Sequence, residues 1–536
     1  MKISNPYFLK LLFFVIVSTL CINCKNKNEI KHTEIPIMTY TEEELYRPNY
    51  HFTPQKNWMN DPNGMFYLNG NYHLFFQYYP DDNIWGPMHW GHAVSKDLIT
   101  WEELPIALYP DSLGYIFSGS AVVDLNNSSG FGKEGIIPVV AIFTYHDMER
   151  EREGAIDYQT QALAYSLDEG QTWIKYEGNP VLPNPGIKDF RDPKVIWDEE
   201  HNTWLMALAT YEKTLFYKSS NLKDWELISD FGEDIGAHEG VWECPDFFPM
   251  KVEGTNETKW VLLQSLNPGH INGGSGTQYF VGDFNGKTFE LDTLFAKELE
   301  KKQSIWLDYG RDNYAGVTWS NIPKSDNRKL FIGWMSNWDY AKQVPTETWR
   351  SAMTIARELK LKKVEDSYVL FSEPVEELNK FKKVIDTKSN INFNSEYLIV
   401  DNQININKSL IEITLSNLKP EIYSFLLTND KGDELNFGIN NKELFYFIDR
   451  TKSGDLSFSE TFANRVSKAK FDKPHDEIKI QMLLDKTSIE LFYNKGETSM
   501  TEIFFPKSPF QTLKISTLNG SKTTIDKLTF SLIDVN

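Results

Sequence analysis

Ser95-Lys-Asp97-Leu-Ile-Thr-Trp101-Glu, Ser166-Leu-Asp168-Glu-Gly-Gln-Thr-Trp173 and Ser219-Ser-Asn-Leu-Lys-Asp224-Trp225-Glu are three versions of one local pattern. Each places an Asp in a polar turn and a Trp at the start of the next apolar run. A fourth version, Asp283-Phe-Asn-Gly286-Lys-Thr-Phe289-Glu, carries Phe in the Trp place. The ring positions 101, 173, 225 and 289 are spaced by 72, 52 and 64 residues. From about residue 48 to 372 the surrounding sequence is short alternating runs with turn residues between them and almost no helical period. Irregular repeats of this size, each able to hold four short strands, predict propeller blades. A last unit through 313–372 brings the count to five. The competing reading is a large β-sandwich with coincidental hairpins.

Past residue 372 the pattern changes. Val375, Leu378, Phe381 and Ile385 recur at helical spacing and predict a linker helix over 373–388. Then Ile478, Ile480, Met482 and Leu484 alternate, as do Ile489, Leu491 and Tyr493, with Asp485-Lys-Thr-Ser488 as the turn. Residues 389–536 therefore predict a β-sandwich, in which nothing looks catalytic. The expected fold class is all-β: a five-bladed β-propeller over 48–372, then the C-terminal β-sandwich.

The charge balance narrows the partners. The 536 residues carry 55 Lys+Arg against 75 Asp+Glu, a formal charge of −20. Such a surface repels phosphate backbones, so nucleic acid is a poor candidate. The 15 Trp, 25 Tyr and 35 Phe can build large cores and faces on which sugars stack. The ten His show no paired metal-ligand spacing, and no metal or organic cofactor is expected.

At the N-terminus Lys2 precedes an apolar run over residues 8–20 that also contains Lys10 near its start. It is shorter than the roughly 20 apolar residues a membrane span needs, and it reads as a signal-peptide core. Cys21-Ile-Asn-Cys24 follows. The arrangement resembles a bacterial lipoprotein signal, with Cys24 favoured over Cys21 as the lipid-bearing residue. Residues 25–47 read as a polar tether. The resemblance implies export and a lipid anchor to the cell envelope, the anchor being the chain's only membrane contact. Cys244 is then the single thiol of the body, which leaves it no disulfide.

Three clusters carry chemistry. Asn57-Trp58-Met59-Asn60-Asp61-Pro62-Asn63-Gly64 is a good tight turn, yet it also brings together an aromatic, an amide and a carboxylate, the groups a sugar pocket needs. Asp189-Phe-Arg191-Asp192-Pro193 joins a guanidinium to a carboxylate, and a surface ion pair would explain it as well. In Val241-Trp-Glu243-Cys244-Pro245-Asp246 a carboxylate lies between apolar neighbours. On a propeller the innermost strands line one cavity, so three such groups from three blades can converge. Glycoside cleavage needs two of them, one protonated and one ionised.

Trp58-Met-Asn-Asp61-Pro-Asn-Gly64, Phe117-Ser-Gly-Ser120, Arg191-Asp192-Pro193 and Glu243-Cys244 resemble, in order, the signature motifs of family 32 of the glycoside hydrolases. Trp90-Gly-His-Ala-Val-Ser-Lys-Asp97 and Trp349-Arg-Ser-Ala-Met353 are similar to the family as well. The family contains invertases, inulinases and levanases. The resemblance implies that Asp61 is the nucleophile, Glu243 the general acid/base, and Asp192 the carboxylate that binds fructose hydroxyls and stabilises the transition state. It also implies a fructose-binding wall of Asn60, Gln77, Trp85, Phe117, Ser118, Arg191 and Trp334. The implied reaction is hydrolysis of a β-fructosyl bond with retention, for which the two working carboxyls stand about 5–5.5 Å apart. The expected substrate is a fructan or fructo-oligosaccharide, cut from its end. An endo-acting levanase or inulinase, a fructosyltransferase using the same carboxylates, and a non-catalytic fructan-binding lectin are the alternatives.

Overall fold

The computed structural model describes residues 44–133, 135–401 and 404–535. The signal segment, Cys21, Cys24 and the tether up to residue 43 lie outside the described residues. Among the described residues no helix is long and apolar enough to cross a membrane.

Five sheets follow one another along the chain, each with a core of four antiparallel strands in chain order. Their first strands are Asn57–Leu68, Tyr115–Val123, Arg191–Asp198, Val241–Lys251 and Tyr314–Thr318. These first strands touch one another in ring order and line the axis, with each sheet radiating outward as a blade. The turn pattern of the sequence occupies one structural place. In blades 1 to 4 it joins the third strand to the fourth, as between His89–Ser95 and Glu102–Leu108. Local side-chain bonds make it a stable turn. Asp97 Oδ1 accepts from Ile99 N (2.9 Å) and Thr100 N (2.7 Å), and Asp168 Oδ1 accepts from Thr172 N (2.9 Å). Trp173 and Trp225 close their turns by donating Nε1–H to Gly170 O and Leu222 O. Blade 5 makes the same connection in the two residues between Arg357–Val364 and Ser367–Pro374, too short for the motif.

The sandwich stacks two six-stranded sheets. Its core includes Ile413, Phe425, Phe437, Ile480, Leu491 and Ile515, all nearly or fully buried. The alternation read at Ile478–Leu484 is present as a strand inside 477–484. The expected linker helix is corrected. Only one 3-10 turn forms, at Glu376–Lys380, and Lys382–Phe393 is a strand pairing with Thr523–Ile533. Val375 and Leu378 are buried as the spacing implied, but Ile385 is exposed. The apolar stripe therefore ends after one turn. The β-branched residues Val384, Ile385 and Thr387 then gain a ladder of backbone hydrogen bonds at the sheet edge.

The sandwich also holds the ring's seam. Trp349–Arg350 of the last blade's excursion pairs in parallel with the start of blade 1. Buried Glu490, on the sandwich strand Ser488–Tyr493, meets groups from both ends of the ring. It lies 2.8 Å from His51 Nε2, just ahead of blade 1. It accepts from Ile355 N (2.9 Å) and Arg357 Nε (3.1 Å), at the third strand of blade 5. Asp485 meets the other His51 nitrogen at 2.8 Å, and Asp308 meets Arg357 Nη1 at 2.9 Å. Burial would strip His51 of its proton, but the two carboxylates outweigh it and hold its pKa up at about 9.

Candidate active site

Every inner strand carries the same irregularity at the same level. The register with the second strand slips by one residue between Met59 and Pro62, Ile116 and Gly119, Arg191 and Lys194, Glu243 and Asp246, and Tyr314 and Val317. These are five β-bulges, one on each inner strand at this level, and blade 1 has a further one between Asn63 and Phe66. A bulge breaks the strict alternation of a strand and re-aims its side chains. Asp192, Cys244 and Ala315 take left-handed φ values of 62°, 46° and 53° at these points. The Asp192 bulge is tied down from the neighbouring blade, its N–H donating to Thr144 Oγ1 at 3.0 Å. Asp61, Ser118, Asp192, Glu243 and Tyr314 all belong to or border this ring.

The nucleophile candidate is tightly oriented. Trp58 Nε1 donates to Asn60 Oδ1 (2.7 Å), which turns the Asn60 amide nitrogen onto Asp61 Oδ1 (2.9 Å). Ser118 Oγ donates to Asp61 Oδ2 at 2.9 Å. Cys244 sits between two of the carboxylates, its Sγ 3.6 Å from Asp61 Oδ2 and 3.6 Å from Asp192 Oδ2. Its backbone N–H donates to Asp192 Oδ2 at 3.0 Å. Arg191 serves three acids: Nη1 donates to Asp189 Oδ1 (2.6 Å), Nη2 donates to Glu243 Oε1 (2.9 Å), and Nε lies 3.9 Å from Asp192 Oδ2. Tyr314 Oη donates to Glu243 Oε2.

Crowding these acids in a buried site changes their acidity. Burial raises Asp61, and the charge of Glu243 raises it further. Burial pushes Asp192 up to about 7 against the pull of Arg191, with Glu243 and Asp61 adding repulsion. The cluster can thus hold a proton near neutral pH, on Asp192.

The cavity above these groups has a volume of about 270 Å³. Its wall includes Asn60, Gln77, Trp85, Phe117, Ser118 and Arg191. Gln77 Nε2, Gln159 Oε1 and Asp189 Oδ2 line it as well, and each is buried without a hydrogen-bond partner in the protein. Below the bulges, residues outside this cavity's lining tie the blades together. Lys194 Nζ bonds Asp246 Oδ2 (3.0 Å) and Thr318 O (2.5 Å), joining blades 3, 4 and 5 across the axis. A wider hollow of about 1010 Å³, lined in part by Lys194 and Thr318, opens on the far side.

Trp334 is corrected. It is fully buried on the second strand of blade 5, one layer out from the axis, where it pairs with Tyr314 and packs on Trp58. The chain leaves the sheet after Met335, and this swings Trp338 into the cavity wall instead. Lys342 follows, its Nζ 5.8 Å from the Trp85 ring and 5.9 Å from that of Trp338. On the opposite rim His146 stacks on Phe117 (4.2 Å, 8°) and meets Glu151, on the short helix Met148–Arg152, at 3.1 Å. His146, Glu151, Tyr158, Gln159, Trp338 and Lys342 were not picked out from sequence. They come from second and third strands and their loops, where no local motif marks them.

Comparison with known proteins places this architecture. The description "Glycosyl hydrolases family 32 N-terminal domain" matches residues 51–374, and "Glycosyl hydrolases family 32 C terminal" matches 376–531. A levanase of Bacillus subtilis is 46% identical over 89% of this chain and 69% of its own length. An extracellular exo-inulinase of Aspergillus awamori is 38% identical over 90% of this chain and 94% of its own. The crystal structure of the Aspergillus awamori exo-inulinase superposes with a TM-score of 0.81 at 36% identity, covering 92% of this chain and 99% of that one. A β-fructofuranosidase of Schwanniomyces occidentalis, solved with fructosyl-erythritol, also gives 0.81, at 34% identity, with 91% and 98% covered. With both family domains matched across nearly the whole described body, and with the three carboxylates gathered on one propeller axis, the chain belongs to family 32 of the glycosyl hydrolases.

Proposed function

We propose that this enzyme is an exo-acting fructan β-fructosidase that works with retention. The observation that carries the reading is the small cavity of about 270 Å³, with Asp61, Asp192 and Glu243 in its lining. It lies at the low end of ligand-pocket sizes, so it suits one terminal sugar ring better than an open run of subsites. The levanase and exo-inulinase names of the relatives support a fructan as substrate.

In this mechanism a terminal fructosyl ring fills the cavity, with hydroxyls on Asp192, Gln77 and Asn60. Asp61 attacks the anomeric carbon while Glu243 gives its proton to the departing oxygen. The bond to the rest of the chain breaks, and a fructosyl ester forms on Asp61 through an oxocarbenium-like state. Glu243, now a carboxylate, takes a proton from water as that water attacks the same carbon. The ester bond breaks and fructose leaves. Arg191 keeps negative charge on its three acids tolerable throughout. Incubation with levan and with inulin, followed by size separation, tests the exo reading. Free fructose as the only early product is expected, whereas a ladder of oligosaccharides would overturn it.

Export with a lipid on Cys24 is part of the same proposal. It is supported by the residue 8–20 apolar run and Cys21-Ile-Asn-Cys24, and relatives named as extracellular agree with export. In a bacterial host, Cys24→Ala is expected to abolish incorporation of labelled palmitate and to shift the enzyme out of the membrane fraction. Unchanged labelling would remove Cys24 from the role.

A further inference from the structure

Glu243 is gripped at both carboxyl oxygens, and the two partners are chemically unlike. Arg191 Nη2 donates to Oε1 at 2.9 Å and Tyr314 Oη donates to Oε2. A guanidinium has only donors and stays charged, so it favours the ionised acid at every stage. A phenol has a donor and lone pairs. It can donate to a carboxylate and, by rotating its hydroxyl, accept from a carboxylic acid. That is the kind of partner a group needs when it must act first as acid and then as base.

The setting makes this hydroxyl stable and well placed. Tyr314 is 1% exposed and opens the bulged inner strand of blade 5, with its ring edge-on to Trp334. Burial and the charges of Glu243, Cys244 and Asp61 push its pKa well above the usual phenol range, so it keeps its proton. The charged and titratable groups around Glu243 are Arg191, Tyr314, Asp61, Asp192 and Cys244. Among them Tyr314 is the neutral hydroxyl in contact with the carboxyl.

We propose that Tyr314 is the positioning residue of the acid/base, holding the Glu243 carboxyl toward the leaving oxygen and serving as its partner in both protonation states. This rests on Glu243 being the acid/base. Without the hydroxyl, Arg191 alone draws the carboxyl toward Asp189, and proton delivery suffers while nucleophilic attack does not. The defect must then depend on how much the leaving group needs a proton.

The test compares kcat/KM on sucrose or inulin, whose leaving alcohols need protonation, with that on a nitrophenyl β-fructofuranoside, whose leaving phenolate does not. Tyr314→Phe is expected to lose about 10- to 100-fold on the natural substrates and less than threefold on the aryl fructoside, with KM little changed. Glu243→Gln is the control. If Glu243→Gln loses activity equally on both substrates, the functional reading of Glu243 is what fails. If it shows the split and Tyr314→Phe does not, the role given to Tyr314 is wrong. Substituting 3-fluoro- and 3,5-difluorotyrosine at 314 keeps shape and packing while changing the hydroxyl's donor strength. Activity on sucrose is expected to change steadily across that series and activity on the aryl fructoside to stay level; a flat series on both overturns the proposal.

Discussion

Asp61→Asn is expected to yield a folded protein whose kcat is lower by about four orders of magnitude, the scale on which loss of a covalent nucleophile is felt. The amide is nearly isosteric and keeps an acceptor for the Asn60 or Ser118 donors that now bind the carboxylate. What it lacks is the anionic oxygen that can bond to the anomeric carbon and leave a neutral ester. Stability should not fall with activity. Burial and Glu243 raise the Asp61 pKa, so the folded state pays to ionise it, and a neutral side chain relieves that repulsion. The unfolding midpoint is therefore expected to be equal or higher, as is common when a catalytic strain is removed. Turnover measurements together with thermal unfolding check both halves. Residual activity above a tenth of the parent, with the purified variant sequence-verified, would strip Asp61 of the role.

Glu490→Ala is expected to cause the largest loss of stability of any substitution remote from the cavity. Its carboxylate is fully buried between His51 and Arg357, so removing it takes away the anion they share and leaves His51 with Asp485 and Arg357 with Asp308 as their remaining partners. Breaking a buried pair from one side costs about 3–5 kcal/mol. Because the two cations belong to opposite ends of the propeller chain, the loss falls on ring closure, and activity should vanish at the denaturant concentration at which the seam opens. The parent protein carries a related pH signature. With a folded pKa of about 9 against 6.5 for the model value, His51 contributes stability that is complete below about pH 6.5 and lost as pH rises through 9. That shift corresponds to about 3 kcal/mol. Asp485 and Glu490 have lowered pKa values, so their contribution is present above the ordinary carboxylate range and lost in acid. Urea unfolding across pH 5 to 9.5 is expected to show a plateau and then a decline above 6.5, with a shallower decline in Glu490→Ala. An unchanged midpoint in the variant, or a flat parent profile, would contradict the account of the seam.

Much of the architecture was legible because it is encoded locally. The turns at Asp97, Asp168, Asn221 and Asn285 are closed by their own neighbours' N–H groups, so a short window contains the whole cause. Asp61, Asp192 and Glu243 stood out through motifs that resemble a family. The five bulges did not, because a register slip exists only relative to the partner strand. Trp334 and Trp338 illustrate the same gap. Both lie in one apolar segment, and which of them reaches the cavity depends on where the strand ends, after Met335. The helical spacing of Val375 to Ile385 misled for the opposite reason, since a sheet edge waiting in Thr523–Ile533 overrides a weak local period. Tyr314, His146 and Gln159 sit in runs that read as ordinary core strands until the blades are assembled.

On the exo reading, the tie that Lys194, Asp246 and Thr318 make across the axis has a kinetic corollary. If that tie bars the way out behind, a monosaccharide released by the proposed exo cleavage would go out through the mouth by which the polymer came in. The shortened chain has to withdraw before the next end can enter. Successive cuts are then separate encounters, so a population of long chains should shrink together instead of a few being consumed to completion.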